Sequence, residues 1–365
     1  MGFGMNKKID SLQALRFIAC LCIFLHHCYL IKMVYWGVSL FIVLSGFLMC
    51  LSYYDRYDAP LSPLVSLRFS LGKIRKLYLL NMLTMLPVLA LDIYMMRFHQ
   101  TYTPEYVVTE TVLNLLVVQS WSPAYAFSLN GVAWYLSASM FFYFAFPYIL
   151  RAIKGYRRSS DPFCAIAVLF ALEILLGFAA EPLGRALYGA DNSGFVTWFG
   201  YIFPVYRCLD FAVGCNLGYI FLRHGDKLTR RGAAVLEGAC VLLFAAAALI
   251  FRTGSSFLAG DAFKAAPLFL PFCAAAVYLF ACGRGILPRL FTNRATVFLG
   301  NISAAFFLIH QDVIRPGYML LDRFGLTVEQ SRPYLFFIGG VVSVFLAWLY
   351  GKLESAVKSR RSQPG

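Results

Sequence analysis

Two residues suited to chemistry lie in one apolar segment near the start of the chain. Arg16 and His27 are eleven residues apart within the run from Leu15 to Ile31. Eleven residues of α-helix return to nearly the same face and rise roughly 16 Å. The spacing predicts a membrane helix with a guanidinium near one surface and an imidazole deep inside. Because ionisable groups are costly in a bilayer, this pair suggests a function.

An unperturbed imidazole titrates near neutrality, so His27 can take a proton from a hydroxyl, directly or after orientation by a carboxylate. Arg16 supplies a fixed positive charge suited to phosphate or carboxylate. The structural alternative has Arg16 snorkelling to the headgroups and His27 bonded to a backbone carbonyl. That alternative suffices for Arg16 alone, but two histidines within one span are expensive. We expect His26, on a different helix face, to support packing or hydrogen bonding.

A second candidate site is the basic cluster Arg68–Lys76, at the predicted inner mouth of the third span. The functional interpretation is a cradle for the phosphates of a cytosolic anionic cofactor. The ordinary enrichment of positive charge in inner loops explains the cluster equally well.

Other polar positions within spans are candidates for lining a cavity. Ser45, beside Gly46 in the second span, allows close helix approach, which packing alone explains. Trp134 begins a later span, as in an interfacial aromatic belt. Ser137 is able to donate a hydrogen bond towards the bundle interior.

Two later spans carry further ionisable groups. Arg207 and Asp210 are three residues apart and can pair as helical neighbours, so a structural pair is favoured over a substrate contact. His310 lies near the predicted outer end of its span, where it faces a headgroup or lines the same cavity as His27. Glu173 is set aside as an isolated carboxylate.

The composition excludes several classes of protein. The chain is 60% hydrophobic and 14% charged, whereas soluble domains average about 25% charged residues. The net charge of +14 comes from basic residues in short loops between apolar runs, which argues against nucleic-acid binding. No His, Cys and carboxylate set has metal-ligand spacing, and there is no phosphate-binding loop. The ten cysteines lie in or beside apolar runs, as small buried residues do.

The apolar runs predict an all-α polytopic membrane bundle with about ten transmembrane helices, since one span needs about 20 apolar residues. The 365 residues form one integral membrane domain, with a basic tail from about 352. The predicted spans are 14–32, 35–53, 77–96, 131–150, 162–180, 198–222, 233–251, 264–283, 295–314 and 333–351.

Lysine and arginine residues predict the orientation of the bundle. With both termini in the cytoplasm, the inner segments hold 22 of these residues and the outer segments 8. The apolar stretch 106–120 is short and carries Glu110, so we expect an outer-surface or re-entrant helix. A true span there would reverse every later loop and remove the asymmetry.

Several segments, in this order, resemble the membrane acyltransferase 3 family, integral membrane enzymes that O-acylate bacterial glycans and related molecules. The resemblance covers nearly the whole chain. Arg16-x10-His27 matches the arginine and histidine of the family's first helix, and the second helix matches with a turn at Ser45–Phe47. Three further segments resemble later family signatures: LNGVAWYLSA, YRCLDFAVGCNLGY and FLGNISAAFFLIHQ.

The sequence departs from the family at two places. Many members carry acidic residues after the tryptophan motif, where this chain has Ser139 and Met140. The family's arginine-x-x-arginine motif is here Lys73-x-x-Lys76, with Arg75 between. Positive charge is retained there, but the two lysines lack the guanidinium that binds a phosphate with two parallel hydrogen bonds.

The resemblance implies a cytosolic acyl-CoA donor, most often acetyl-CoA, as a co-substrate rather than a resident cofactor. Lys73, Arg75 and Lys76 would meet its phosphates, and Arg16 would lie beside the pantetheine arm. His27 would act near the thioester, as a base towards the acceptor hydroxyl or as a transient acyl carrier.

These expectations describe an O-acetyltransferase of the bacterial cytoplasmic membrane, in contact with membrane lipid, that modifies a cell-surface or exported glycan. The alternative is a transporter or flippase for a glycan or lipid, which would also suit many spans with buried ionisable groups. Against it, we find no paired halves with matching broken helices.

Overall fold

The structure of the protein is a computed structural model that describes residues 9–32, 35–253 and 266–361. Within these ranges the regular elements are all helical. The α-helices are α1 (Asp10–His27), α2 (Tyr35–Tyr53), α3 (Pro63–Tyr94), α4 (Pro104–Leu115), α5 (Trp134–Lys154), α6 (Asp161–Tyr188), α7 (Ser193–Tyr201), α8 (Pro204–His224), α9 (Arg230–Thr253), α10 (Leu270–Cys282), α11 (Ile286–Phe291), α12 (Arg294–Arg323), α13 (Val328–Tyr334) and α14 (Gly340–Arg361). Two π-helical turns extend α3 (Met95–His99) and join α13 to α14 (Leu335–Gly339), and short 3₁₀ turns occupy Gln119–Trp121 and Gly225–Lys227.

Eight helical segments in the described ranges are long and apolar enough to cross a membrane. They confirm the all-helical prediction and indicate a membrane protein. The predicted spans 14–32 and 264–283 correspond to α1, with 18 residues, and α10, with 13, which fall outside this group; residues 264 and 265 lie outside the described ranges. Ten crossings and cytoplasmic termini stay predictions.

Two boundaries differ from the predicted ones because the helices continue through charged sequence. α3 begins at Pro63, before the predicted start at 77, so Arg68–Lys76 is part of the helix. α14 continues to Arg361, so the predicted tail from about 352 begins as helix, and 362–365 lie outside the described residues.

The stretch predicted as a surface or re-entrant helix forms the 12-residue α4. Such a helix is about 18 Å long, whereas the hydrocarbon core is about 30 Å thick. The chain then turns at Val117, whose φ is 57°. α4 is therefore too short to span a membrane and is not among the eight long segments.

The most extensive helix pair is α2 with α8. A Cβ atom on Gly46 would lie 2.0 Å from the Phe211 carbonyl oxygen, and one on Gly214 would lie 2.0 Å from that of Val43. The backbones therefore touch at these glycines, as expected for Gly46. The expected turn at Ser45–Phe47 is wrong, because α2 continues through these residues.

A second close contact joins α1 to α12. A Cβ atom on Gly300 would lie 2.0 Å from the carbonyl oxygen of Gln13, so the glycine allows the two backbones to meet. From this contact both helices run in the same general direction, towards His27 on α1 and His310 on α12. The packing of α1 on α12 therefore positions the two histidines.

Candidate active site

His27 and His310 form a direct hydrogen bond between α1 and α12. The Nδ1 atom of His27 lies 2.7 Å from the Nε2 atom of His310, and the ring centroids are 4.9 Å apart. His310 is buried with 1% exposure, whereas His27 is half-buried. Of the two positions considered for His310, the structure places it beside His27. We call the two residues the histidine pair.

A backbone carbonyl fixes the protons on the histidine pair. The Nδ1 atom of His310 lies 3.2 Å from the Phe306 carbonyl oxygen, which only accepts, so this Nδ1 carries hydrogen. In the neutral ring the His310 Nε2 atom is then an acceptor, and His27 donates to it from Nδ1. The His27 Nε2 atom is left with a free lone pair, the form that a base or nucleophile requires.

The end of α1 sets the accessibility of His27. The helix ends at His27, and Tyr29 follows with a φ of 60°. The imidazole therefore lies at the last residue of the helix, and its predicted depth in the membrane stays a prediction. His26 donates from Nδ1 to the Ile31 carbonyl oxygen over 3.0 Å and so holds this turn. That contact confirms the expected supporting role of His26.

Arg16 lines a cavity of about 140 Å³ among α1, α2, α3, α5 and α12. We call it the Arg16 cavity. Its polar lining consists of Arg16, Ser45, Lys73, Tyr135, Ser139, Tyr143 and Ser303. Two cations and no carboxylate lie among the described lining residues, and the Arg16 Nε atom is buried without a hydrogen-bond partner. An anionic or strongly polar ligand would complement this lining.

Lys73 reaches the Arg16 cavity, but Arg75 and Lys76 do not line it. The Lys73 ammonium donates to the Tyr53 hydroxyl over 2.5 Å and lies 4.1 Å from the centre of that ring. Arg75 and Lys76 are exposed. Two helical residues are about 200° apart when separated by two positions, so Arg75 faces nearly away from Lys73. The structure does not bring the three predicted cradle residues together.

The Arg16 cavity ends about one helical turn from the histidine pair. Ile23 lines it four residues before His27, and Phe307 lines it three residues before His310. The rings of Phe41, Tyr135 and Phe307 contact one another in this wall, with centroids 5.5 to 6.2 Å apart. A ligand that fills the cavity therefore approaches the histidine pair through an aromatic wall.

Comparison with known proteins identifies the class of this site. A family model for the acyltransferase domain, acyltransferase 3, matches residues 9–352. The chain belongs to the acyltransferase 3 family. The acyltransferase MdmB of Streptomyces mycarofaciens is 28% identical over 291 residues, which are 78% of this chain and 69% of that protein. No solved structure matches the chain. The family confirms the resemblance and establishes acyl transfer as the reaction class.

Three further residues of this acyltransferase that are predicted to line a cavity take different positions. Ser45 lines the Arg16 cavity. Trp134 is 3% exposed and packs on Tyr201 with ring centroids 5.1 Å apart, so it is a core residue and not part of an interfacial belt. Ser137 is fully buried, and its hydroxyl lies 2.6 Å from that of Ser120, which ties α5 to the 3₁₀ turn at Gln119–Trp121.

Arg207 and Asp210 form the predicted pair, with 2.7 Å between Nη2 and Oδ2, and both side chains are fully buried. Arg207 also donates to the Ser39 hydroxyl over 2.9 Å. The prediction that Glu173 is an isolated carboxylate is wrong, because its carboxyl group contacts that of Asp210. Sequence spacing gave no sign of this contact between α6 and α8. None of the three lines the Arg16 cavity.

Proposed function

We propose that this acyltransferase moves an acyl group, acetyl being the expected one, from cytosolic acyl-CoA to a hydroxyl of a cell-surface or exported glycan. The proposed location is the bacterial cytoplasmic membrane, with the basic helix ends and both termini in the cytoplasm. The observation that carries the proposal is the histidine pair, whose hydrogen bonds leave the Nε2 atom of the half-buried His27 unprotonated.

The Arg16 cavity supports a donor of this kind. Its two cations, Arg16 and Lys73, lack a carboxylate partner among the described residues. Arg16 lies roughly 16 Å along α1 from His27, a distance comparable to the reach of a pantetheine arm. Lys73 would meet a phosphate at the cytoplasmic end, and Arg16 would bind the amide oxygens of the arm.

In the proposed chemistry the His27 Nε2 atom takes the proton of the acceptor hydroxyl while its oxygen attacks the thioester carbonyl. The carbon–sulfur bond then breaks, and the resulting thiolate takes the proton from the His27 imidazolium to give free coenzyme A. In the alternative route Nε2 attacks the carbonyl first, releases coenzyme A and passes the acyl group to the hydroxyl. Both routes need the same unprotonated nitrogen.

His310 is a positioning residue in this scheme. Its Nε2 atom accepts the hydrogen bond of the His27 Nδ1 atom, so it selects the reactive tautomer and stabilises the imidazolium. The Phe306 carbonyl in turn fixes His310. The chain thus uses a histidine and a backbone carbonyl where other enzymes orient a catalytic histidine with a carboxylate.

The test is thiol release from acetyl-CoA by detergent-purified protein with crude cell-surface glycan. We expect glycan-dependent release by the wild type and a loss of about 10²- to 10⁴-fold for His27→Ala, the usual range for a general base. His224→Ala is the matched control, because His224 is an exposed histidine at the end of α8. Wild-type release by His27→Ala would contradict the proposed site.

Transport without chemistry is the alternative function. Family membership favours acyl transfer. The same assay separates the two, because a transporter releases no thiol under any acceptor. Equilibrium binding of radiolabelled acetyl-CoA to the same preparation then shows whether the donor or the acceptor was misassigned.

A further inference from the structure

A second polar cluster borders the histidine pair where α3 ends, where α4 runs and where α12 continues beyond His310. Its charged members are Asp92 on α3, Glu110 on α4 and Arg315 on α12, whose charge also acts on Asp312 of the same helix. These residues come from three separate segments and do not line the Arg16 cavity. The acyl-transfer scheme above uses none of them.

The carboxyl groups of Asp92 and Glu110 contact each other. Glu110 is only 1% exposed, and its Oε1 atom has no hydrogen-bond partner in the described part of the chain. Burial and the charge of Asp92 raise the pKa of Glu110 to about 7. A buried acceptor without a donor is costly, so a ligand that brings donors would relieve it.

Arg315 and Gln311 add polar groups from α12. A Cβ atom on Gly131 would lie 2.8 Å from the Arg315 Nη2 atom and 3.0 Å from the Gln311 Oε1 atom. Arg315 donates to the Leu129 carbonyl oxygen over 3.4 Å. Gln311 is 9% exposed, and its Oε1 atom also lacks a partner among the described residues. Gly131 thus leaves room for both side chains beside the carboxyl groups.

Three tyrosines form a stack at the edge of the cluster. The rings of Tyr102 and Tyr106 are 5.2 Å apart with an angle of 11°, and those of Tyr106 and Tyr125 are 5.0 Å apart with an angle of 30°. All three side chains are half-buried. The charges of Asp92 and Glu110 act on Tyr102 and Tyr106, so the stack and the carboxyl groups belong to one region.

This region lies within electrostatic range of the histidine pair of the proposed mechanism. Arg315 is close enough for its charge to act on both His27 and His310. Gln311 follows His310 directly, and Arg315 lies five residues after it on the same helix. A ligand held by the cluster would therefore lie next to the half-buried edge of His27.

We propose that Asp92, Glu110 and Arg315, with the stack of Tyr102, Tyr106 and Tyr125, bind a hydroxyl-rich ring such as a sugar and present one of its hydroxyls to His27. The inference rests on the proposed function and assigns the acceptor site. Neighbouring ring hydroxyls are donors for the carboxyl groups and acceptors for the guanidinium. The apolar C–H face of such a ring packs on the flat edge of a tyrosine stack.

A purely structural clamp between α3 and α4 is the competing explanation. In the buried cluster of α6 and α8, Asp210 has a guanidinium partner, although oxygens of Asp210 and Glu173 there also lack hydrogen-bond partners in the described residues. Glu110 has no ion-pair partner in the described residues, and it lies near half-buried tyrosines rather than inside the bundle. An unpaired carboxyl group near a partly exposed aromatic surface favours a ligand site over a clamp.

The experiment measures binding separately from turnover. A fluorescently labelled fragment of cell-surface glycan is titrated into purified His27→Ala protein, in which bound glycan is not consumed. We expect saturable binding that weakens at least about tenfold in each of Glu110→Gln, Asp92→Asn and Tyr106→Leu added to this background. Tyr106→Phe should bind within about threefold of the parent, since the ring is kept.

Val108→Ala is the matched control, because Val108 lies on α4 with 62% exposure and faces away from the cluster. Thermal unfolding of each variant identifies any that fails to fold. Unchanged binding in folded Glu110→Gln and Tyr106→Leu, or no glycan binding by the parent, would overturn the acceptor site. If the wild type releases thiol in a glycan-dependent way but the variants bind glycan as the parent does, only the acceptor site is wrong. If glycan binding depends on Tyr106 but the wild type releases no thiol, only the donor assignment is wrong.

Discussion

Arg16 and Arg207 are two arginines within apolar helices, but their surroundings differ. Arg207 is fully buried and bonded to Asp210 at 2.7 Å and to Ser39 at 2.9 Å. Arg16 lines a cavity and forms no ion pair within the described residues. Both arginines have an Nε atom without a hydrogen-bond partner there, so the difference lies in the carboxylate. A charge paired with a carboxylate holds helices together, whereas an unpaired charge beside a cavity is available to a ligand.

The same contrast separates the carboxyl groups. Asp210 meets a guanidinium as well as the Glu173 carboxyl group inside the bundle, while Glu110 meets a carboxyl group but no guanidinium in the described residues, at the edge of a half-buried tyrosine stack. Burial alone does not distinguish the two sites, since both residues are at most 1% exposed. What distinguishes them is whether the protein itself supplies the complementary group.

The largest expected effect comes from breaking the Arg207–Asp210 ion pair. Arg207→Met should destabilise the protein by about 3–5 kcal/mol, because it leaves the Asp210 carboxylate buried without its cation. Arg16→Met should change stability by less than about 1 kcal/mol, since no ion pair is lost, while weakening donor binding. Urea or thermal unfolding in matched detergent measures both.

The double variant Arg207→Met with Asp210→Asn provides the control for that prediction. Removing both charges should restore most of the lost stability, because the penalty comes from the unpaired carboxylate. If Arg16→Met destabilised as much as Arg207→Met, the division between a structural and a ligand-facing arginine would be wrong.

The next effect concerns the histidine pair. His310→Leu should lower the rate of thiol release by about 10- to 100-fold, because the His27 imidazolium loses one charge-assisted hydrogen bond. His310→Gln should recover much of that loss, since its side-chain oxygen can accept from the His27 Nδ1 atom. Equal loss in both variants, with the fold intact, would indicate a packing role only.

Local sequence patterns predicted the helices and the residues that belong to them. The length of an apolar run and the Arg16 to His27 spacing are properties of one helix, and α1 carries both residues as expected. The spacing did not predict that α1 ends at His27. The turn that stops it depends on the left-handed Tyr29 and on the contact of His26 with Ile31.

Residue spacing within one helix does not predict contacts between distant segments. The partner of His27 is 283 residues further along the chain, and the partner of Asp210 on α6 is an otherwise unremarkable Glu173. Both depend on how helices pack, which glycines such as Gly300 decide through backbone contact. An ionisable residue in a predicted span indicates a partner or a function. That rule gave the correct expectation for His27, whereas Glu173 was treated as isolated.

The smallest expected effect concerns Lys73, the second cation of the Arg16 cavity. Lys73→Met should raise the acetyl-CoA KM by about three- to tenfold with little change in kcat, because Lys73 is a charge at the cavity and not at the reacting atoms.

Lys76→Met is the matched control, being an exposed lysine one turn along α3 that does not line the cavity. It should change the KM by less than about twofold, since an exposed charge is screened by solvent and salt. If Lys76→Met raised the acetyl-CoA KM more than Lys73→Met, the donor phosphate would contact the exposed surface of α3 and not the Arg16 cavity.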